Sequence, residues 1–163
     1  FNLKIKLNSN YGFIKFRLPE IFILLIFLQI IIGAFVSGMD AGKIYNSWPL
    51  MGSTFFPNDN NLYNLFKMSA FSEPSLVQFM HRNLAYIIMS VYLITLYLVI
   101  SNKLIKFNKT VIVLGLILLI QIVLGILTVT SGAQMFIASM HQISSILLVS
   151  FSVYFLFINT KKN

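Results

Sequence analysis

The sequence has no cysteine among its 163 residues. That excludes an internal disulfide and any thiolate metal site. Charge is scarce as well. Charged residues make up 10% of the chain, against about 25% in a soluble domain. The acids are Glu20, Asp40, Asp59 and Glu73, and the histidines are His81 and His141. So little polar surface cannot cover a water-facing globule. The chain also opens without an initiator methionine or a signal peptide. Its first stretch, FNLKIKLNSNYGFIKFRLPE, reads as a loop leading into a membrane helix, so a fragment lacking its N-terminal part is expected.

What is present is apolar. Hydrophobic residues make up 58% and mean hydropathy is +0.85. The net charge of +8 would point to nucleic acid in a soluble protein. Here the basic residues lie between hydrophobic runs and report membrane topology instead. Lipid is the expected solvent, and no nucleic-acid partner is expected.

Residues 21–39 and 83–102 are free of charge, and 110–160 is one uncharged stretch broken by TSGAQ at 130–134. That gives four spans. At about 1.5 Å per residue, roughly 20 residues cross a hydrocarbon core of roughly 30 Å. Backbone groups in lipid must bond within their own segment, so the spans are helices. Ser72 is expected to cap the second helix, with Pro74 in its first turn. His81 then lies about two turns inside, near the outer surface. Lys4, Lys6, Lys15, Arg17, Lys103, Lys106, Lys109, Lys161 and Lys162 fall on one side, and Lys43, Lys67 and Arg82 on the other. Both termini are therefore expected to face the cytoplasm or matrix.

The chain repeats itself weakly. LQIIIG at 28–33 returns as IQIVLG at 120–125, and FMHR at 79–82 returns as SMHQ at 139–142. One helical hairpin is used twice, around a pseudo-twofold axis along the membrane normal. His81 lies 22 residues before Lys103, and His141 lies 20 before Lys161. Two residues of helix are about 3 Å, so the imidazoles share one depth. The fold class is thus an all-α membrane protein, a four-helix bundle of two repeated hairpins. A planar macrocycle with two axial nitrogen ligands, such as haem, fits between its helices. A lone membrane histidine more often bonds a neighbouring helix, for about 1 kcal/mol. Two in matched positions favour a shared ligand. Zinc would need more ligands than these.

Other residues carry two readings each. Gly33 and Gly125 suit either a porphyrin face against the backbone or close helix packing. Arg82 suits a haem propionate or a lipid headgroup. Gln29 and Gln121 suit bridges between helices more than contact with a cofactor. Asp40, Lys43, Gly38 and Gly42 suggest a structured loop, with Tyr45 and Trp48 at the interface.

Three motifs stand in order along the chain: GMDAGKIYNSWPLMG, VQFMHRNLAY and QIVLGILTVTSGAQMFIASMHQ. Together they resemble the C-terminal half of haem A synthase, of the mitochondrial and alphaproteobacterial type, from about Pro19 to Phe157. The resemblance implies an eight-helix enzyme of two similar halves. It oxidises a methyl group of haem O to the formyl group of haem A for cytochrome oxidase assembly. It implies that His81 and His141 are the axial ligands of a haem b, and that the N-terminal half holds the substrate. A carboxylate stands near the first histidine of that other half; here the position three before His81 is Gln78, which cannot act as a general base. The implied domain plan is a lead-in at 1–18, a haem-binding membrane domain at 19–160 and a basic tail at 161–163. The implied partners are haem O, the N-terminal four-helix half, the bilayer, and haem O synthase with other assembly factors. A bacterial inner membrane is expected, with the mitochondrial inner membrane as alternative. Alone, the fragment is expected to be inactive. Two competing readings are a stand-alone b-type cytochrome and a non-haem membrane module.

Overall fold

The structure is a computed structural model that describes Ile14 and residues 17–160. Most of the expected lead-in and all of the basic tail lie outside the described residues. Four α-helices follow in order: α1 (Leu18–Gly38), α2 (Pro74–Ser101), α3 (Ile105–Thr130) and α4 (Met135–Thr160). Each contains a window of mean hydropathy between 1.8 and 2.9, long enough to cross a bilayer. The chain is an all-α, multi-pass membrane protein.

Helix boundaries follow local chemistry. α1 starts at Leu18, three residues before the uncharged run, because Pro19 suits a first turn and Glu20 faces the positive end of the helix dipole. α2 starts at Pro74. Glu73 occupies its N-cap position and makes no side-chain cap bond. Ser72, expected as the cap, instead closes a short 3-10 turn, Met68–Ser72. The break between α3 and α4 falls where the sequence places it. Gly132 and Ala133 both take positive φ there, 70° and 58°, a conformation that ends a helix readily at glycine.

Consecutive helices pack antiparallel, and α4 returns against α1 to close the ring. The apolar core lies toward the end of the bundle that carries the termini and the short α2–α3 turn. Phe22, Ile88, Val99, Val111 and Leu114 are buried in it, and the Phe107 and Phe155 rings meet edge to face at 6.1 Å. Ser and Thr within the spans find local partners. Thr95 donates to the Val91 carbonyl at 2.8 Å, Thr128 to that of Leu124 at 2.7 Å, and Ser152 to that of Leu148 at 2.6 Å. Each bond satisfies a hydroxyl where lipid offers none. Beside the core, the Ile14 amide donates to Asn159 Oδ1 at 2.9 Å, tying the approach to α1 onto the end of α4.

The opposite end, called here the loop end, carries the 131–134 turn and the long loop 39–73. The two meet: a Cβ on Gly42 would stand 3.4 Å from Ala133 Cβ. Ala41 beside it is fully buried. This contact explains the small residues of the AGK turn.

Candidate functional site: two imidazoles and a clasped loop

The two histidines lie on α2 and α4, in the half of the bundle nearer the loop end. Their ring centroids are 6.4 Å apart and their planes cross at 82°. The depth match read from the sequence thus becomes a direct juxtaposition.

Each ring rests on the helix that precedes its own. A Cβ on Gly33 of α1 would stand 3.1 Å from His81 Cε1. A Cβ on Gly125 of α3 would stand 3.2 Å from His141 Cε1. Within the chain, then, the group that approaches each glycine is an imidazole. A residue without a side chain leaves that room, and a methyl there would make the ring give by a few tenths of an ångström. Each histidine is also gripped through its backbone. Gln29 Nε2 donates to the His81 carbonyl at 3.1 Å, and Gln121 Nε2 to the His141 carbonyl at 3.3 Å. The QIxxG element is therefore a histidine seat, a glutamine holding the backbone and a glycine one turn on making space. The glutamines bridge helices, as the sequence suggested.

The seats differ in one respect. Gln29 Nε2 also lies 3.2 Å from His81 Nε2, so it touches the ring. Gln121 Nε2 instead contacts Ser144 Oγ, one turn along α4. In both rings Nδ1 is buried and has no hydrogen-bond partner. A buried polar nitrogen left unpaired is costly; His81 Nδ1 lies on the Gly33 side and His141 Nδ1 on the Gly125 side. Among the described residues no group of three or more His, Cys, Asp or Glu could hold a metal ion.

Arg82, adjacent to His81, is 9% exposed. Its Nη1 donates to the Ser47 carbonyl at 2.9 Å and to the Leu50 carbonyl at 3.3 Å. Nη2 donates to the Tyr45 carbonyl at 2.9 Å. Gln78, one turn earlier on α2, adds a bond to the same Tyr45 carbonyl at 3.0 Å. The loop is shaped to supply these acceptors. Ser47 Oγ donates to the Leu50 carbonyl and accepts from the Gly52 amide, both at 2.9 Å. Gly52 has φ 72° and lies under the Tyr45 ring, with its would-be Cβ 3.4 Å from Tyr45 Cε1. The Tyr45 hydroxyl donates to Asp59 at 3.0 Å. Burial and then the Asp59 carboxylate raise the Tyr45 pKa above its usual value, so the phenol keeps its proton. The IYNSWPLMG stretch is thus a cup of carbonyls around one guanidinium. The sequence reading missed that role, since backbone acceptors leave no trace in residue type. Arg82 Nε and Gln78 Oε1 remain buried and unpartnered on the α2 side.

Asp40 and Lys43 form a 2.8 Å ion pair that is exposed on both sides. Asp40 takes a positive φ of 53° at the start of the Ala41–Lys43 turn. The pair closes the corner after α1 and stands apart from the histidines.

Comparison with known proteins gives the family. Residues 14–153 match the model of a family described as cytochrome oxidase assembly protein. The heme A synthase of Pelagibacter ubique (strain HTCC1062) is 42% identical over 151 residues, covering 90% of this chain and 44% of the relative. That of Rickettsia prowazekii (strain Madrid E) is 39% identical over 140 residues, covering 85% and 42%. That of Rickettsia felis (strain ATCC VR-1525 / URRWXCal2) is 41% identical over 149 residues, covering 87% and 43%. The chain spans less than half the length of these curated relatives. No solved structure matches. By its motifs, its helices and these similarities, the chain belongs to the haem A synthase family of cytochrome oxidase assembly proteins.

Proposed function

We propose that this chain is the C-terminal, haem b-binding half of a haem A synthase. In this reading the whole enzyme oxidises the haem O methyl group to the formyl group of haem A. The observation that carries the reading is the 6.4 Å between the His81 and His141 ring centroids. With metal–nitrogen bonds of about 2.0–2.1 Å, two imidazoles on opposite faces of one metal ion have centroids roughly 6.3 Å apart. The donor set fits haem iron as well. It consists of two neutral nitrogen ligands from different hairpins, with no thiolate and no carboxylate beside them.

A haem held there supplies one-electron transfer. The chain's own residues do the rest. His81 and His141 would hold the haem iron. Gln29 and Gln121 fix the ligand backbones, which sets the direction of each ring. Gly33 and Gly125 give the rings their space. Arg82 holds the loop over the loop end with its two terminal nitrogens, and its unpartnered Nε is the atom left for a propionate. Gln78 can donate and accept hydrogen bonds but cannot take a proton as a base. The half described here is accordingly the cofactor holder. Substrate haem O and the reacting groups belong to the partner N-terminal half, and these 163 residues alone bind haem without turnover.

The basic residues around Lys103, Lys106 and Lys109 support placing both termini in the cytoplasm and the loop end outside. The bacterial relatives support a bacterial inner membrane.

The test is haem analysis of the purified full-length protein by its pyridine haemochrome. One haem b per chain, lost in His81→Ala and equally in His141→Ala, is the expected result. Haem b retained in full by both variants would overturn the assignment.

A further inference from the structure

The long loop carries a surface that neither the histidines nor the Arg82 cup uses. Residues 60–72 contain a single charge, Lys67. They hold out Leu62, Tyr63, Phe66, Met68 and Phe71, with Phe66 84% and Met68 86% exposed. Those two are barer than Leu24 at 59% on the flank of α1, a membrane span. A water-facing loop does not present phenylalanine and methionine in this way.

The segment is held in place. It forms two short 3-10 turns, Leu62–Phe66 and Met68–Ser72. Asn61 accepts from the Tyr63 amide at 3.1 Å, Asn60 donates to Ser75 of α2 at 2.8 Å, and Ala70 is fully buried. Its height is defined too. The Phe71 ring lies 5.8 Å from that of Phe35, in the last turn of α1. Ser72 is followed almost at once by Pro74, where α2 begins. The segment is therefore level with the ends of two membrane spans, where hydrocarbon gives way to headgroups. Lys67 stands among the apolar groups with Nζ 3.0 Å from Asn64 and 5.0 Å from the Tyr63 ring centroid. An aromatic ring and a cation at this height suit a phospholipid surface.

We propose that residues 62–71 form a bilayer-interface foot. Phe66 and Met68 enter the acyl–headgroup boundary of the leaflet at the loop end, and Lys67 meets lipid phosphate. The occupant is phospholipid, because the apolar surface continues that of the spans and carries its one cation at phosphate level. The foot fixes one end of the loop whose other end clasps Arg82, so the cover over the histidines is held from both sides. This proposal is independent of which cofactor the histidines bind.

The test uses full-length protein in a cysteine-free background, reconstituted in phosphatidylethanolamine–phosphatidylglycerol nanodiscs. A nitroxide is placed at F66C, at M68C and, as the loop-tip control, at D59C. S69C keeps both apolar side chains and covers the case in which removing one disturbs the loop. Collision rates with oxygen and with a water-soluble nickel chelate are then compared. The oxygen-to-nickel ratio is expected to be several-fold higher at 66 and 68 than at 59, with 69 closer to 66 than to 59. Ratios at 66, 68 and 69 equal to that at 59 would place the segment in water and overturn the proposal. Labels at 66 and 68 shielded from both reagents would show a protein covering the face and would overturn it equally.

Discussion

The hairpins α1–α2 and α3–α4 carry the same histidine seat but treat what lies above it differently. In both, a glutamine holds the histidine carbonyl and a glycine lies under the imidazole, with would-be Cβ distances of 3.1 and 3.2 Å. Above the first seat, α1 and α2 are joined by the loop 39–73, clasped by Arg82. Above the second, α3 and α4 are joined by the tight 131–134 turn. The residue after each histidine differs accordingly, Arg82 in one and Gln142 in the other. Gln142 Nε2 makes a bond to Ser37 Oγ at 3.4 Å, whereas Arg82 makes three to carbonyls. The repeat has kept the geometry that positions the rings. The two copies differ where one hairpin carries the long loop and the other the tight turn.

The largest expected effect breaks that difference. Arg82→Ala removes three charge-assisted bonds, at about 1.5–3 kcal/mol per bond before the loop relaxes; the Tyr45 and Leu50 carbonyls keep Gln78 and Ser47 Oγ, and the Ser47 carbonyl loses its Arg82 donor. Limited proteolysis should then cut between residues 44 and 60, while Gln142→Ala leaves the 131–134 turn intact. Equal protease resistance in the two variants would remove the proposed asymmetry.

Next comes Gly115→Ala. A Cβ there would collide with the Tyr92 hydroxyl, which donates to the Val111 carbonyl at 3.2 Å. The repeat register pairs Tyr92 with Ser152 and Gly115 with Ile23, so the large and small partners have changed sides between the hairpins. Overpacking should cost about 1–3 kcal/mol. Thermal unfolding in detergent reads it, with partial recovery in the Gly115→Ala/Tyr92→Phe double variant. A melt unchanged by Gly115→Ala would refute this packing.

Gly33→Ala and Gly125→Ala sharpen the likeness instead. Each added methyl pushes a ring by a few tenths of an ångström, and the two variants should shift the spectrum and midpoint potential of the proposed haem by similar amounts. A shift in one alone would mean that the seats are unequal. The smallest effect is Asp40→Asn. The exposed ion pair with Lys43 is worth about 0–1 kcal/mol, so the melt should barely move.

Much of this architecture is legible in the sequence, and the reason is physical. Lipid demands long uncharged runs, so the spans and the break at 130–134 stand out. A histidine in such a run is conspicuous, and two at matched registers can be paired by arithmetic. What depends on neighbours across helices is less visible. Glu73 rather than Ser72 precedes α2, because Ser72 is taken into the preceding 3-10 turn. Arg82 reads as a headgroup or propionate partner, since carbonyl acceptors have no signature in residue type. Gly33 and Gly125 are visible as small residues, but the imidazole that each admits comes from another helix. Gly115 gives no sign of Tyr92 at all.

The central claim is that both histidines grip one iron. Haem b stoichiometry in full-length His81→Ala, His141→Ala and the double variant tests it most directly. The account predicts that either single variant loses the haem and that the double variant loses no more. Partial loss in each single variant, adding up to complete loss in the double, would show two separate sites and contradict it.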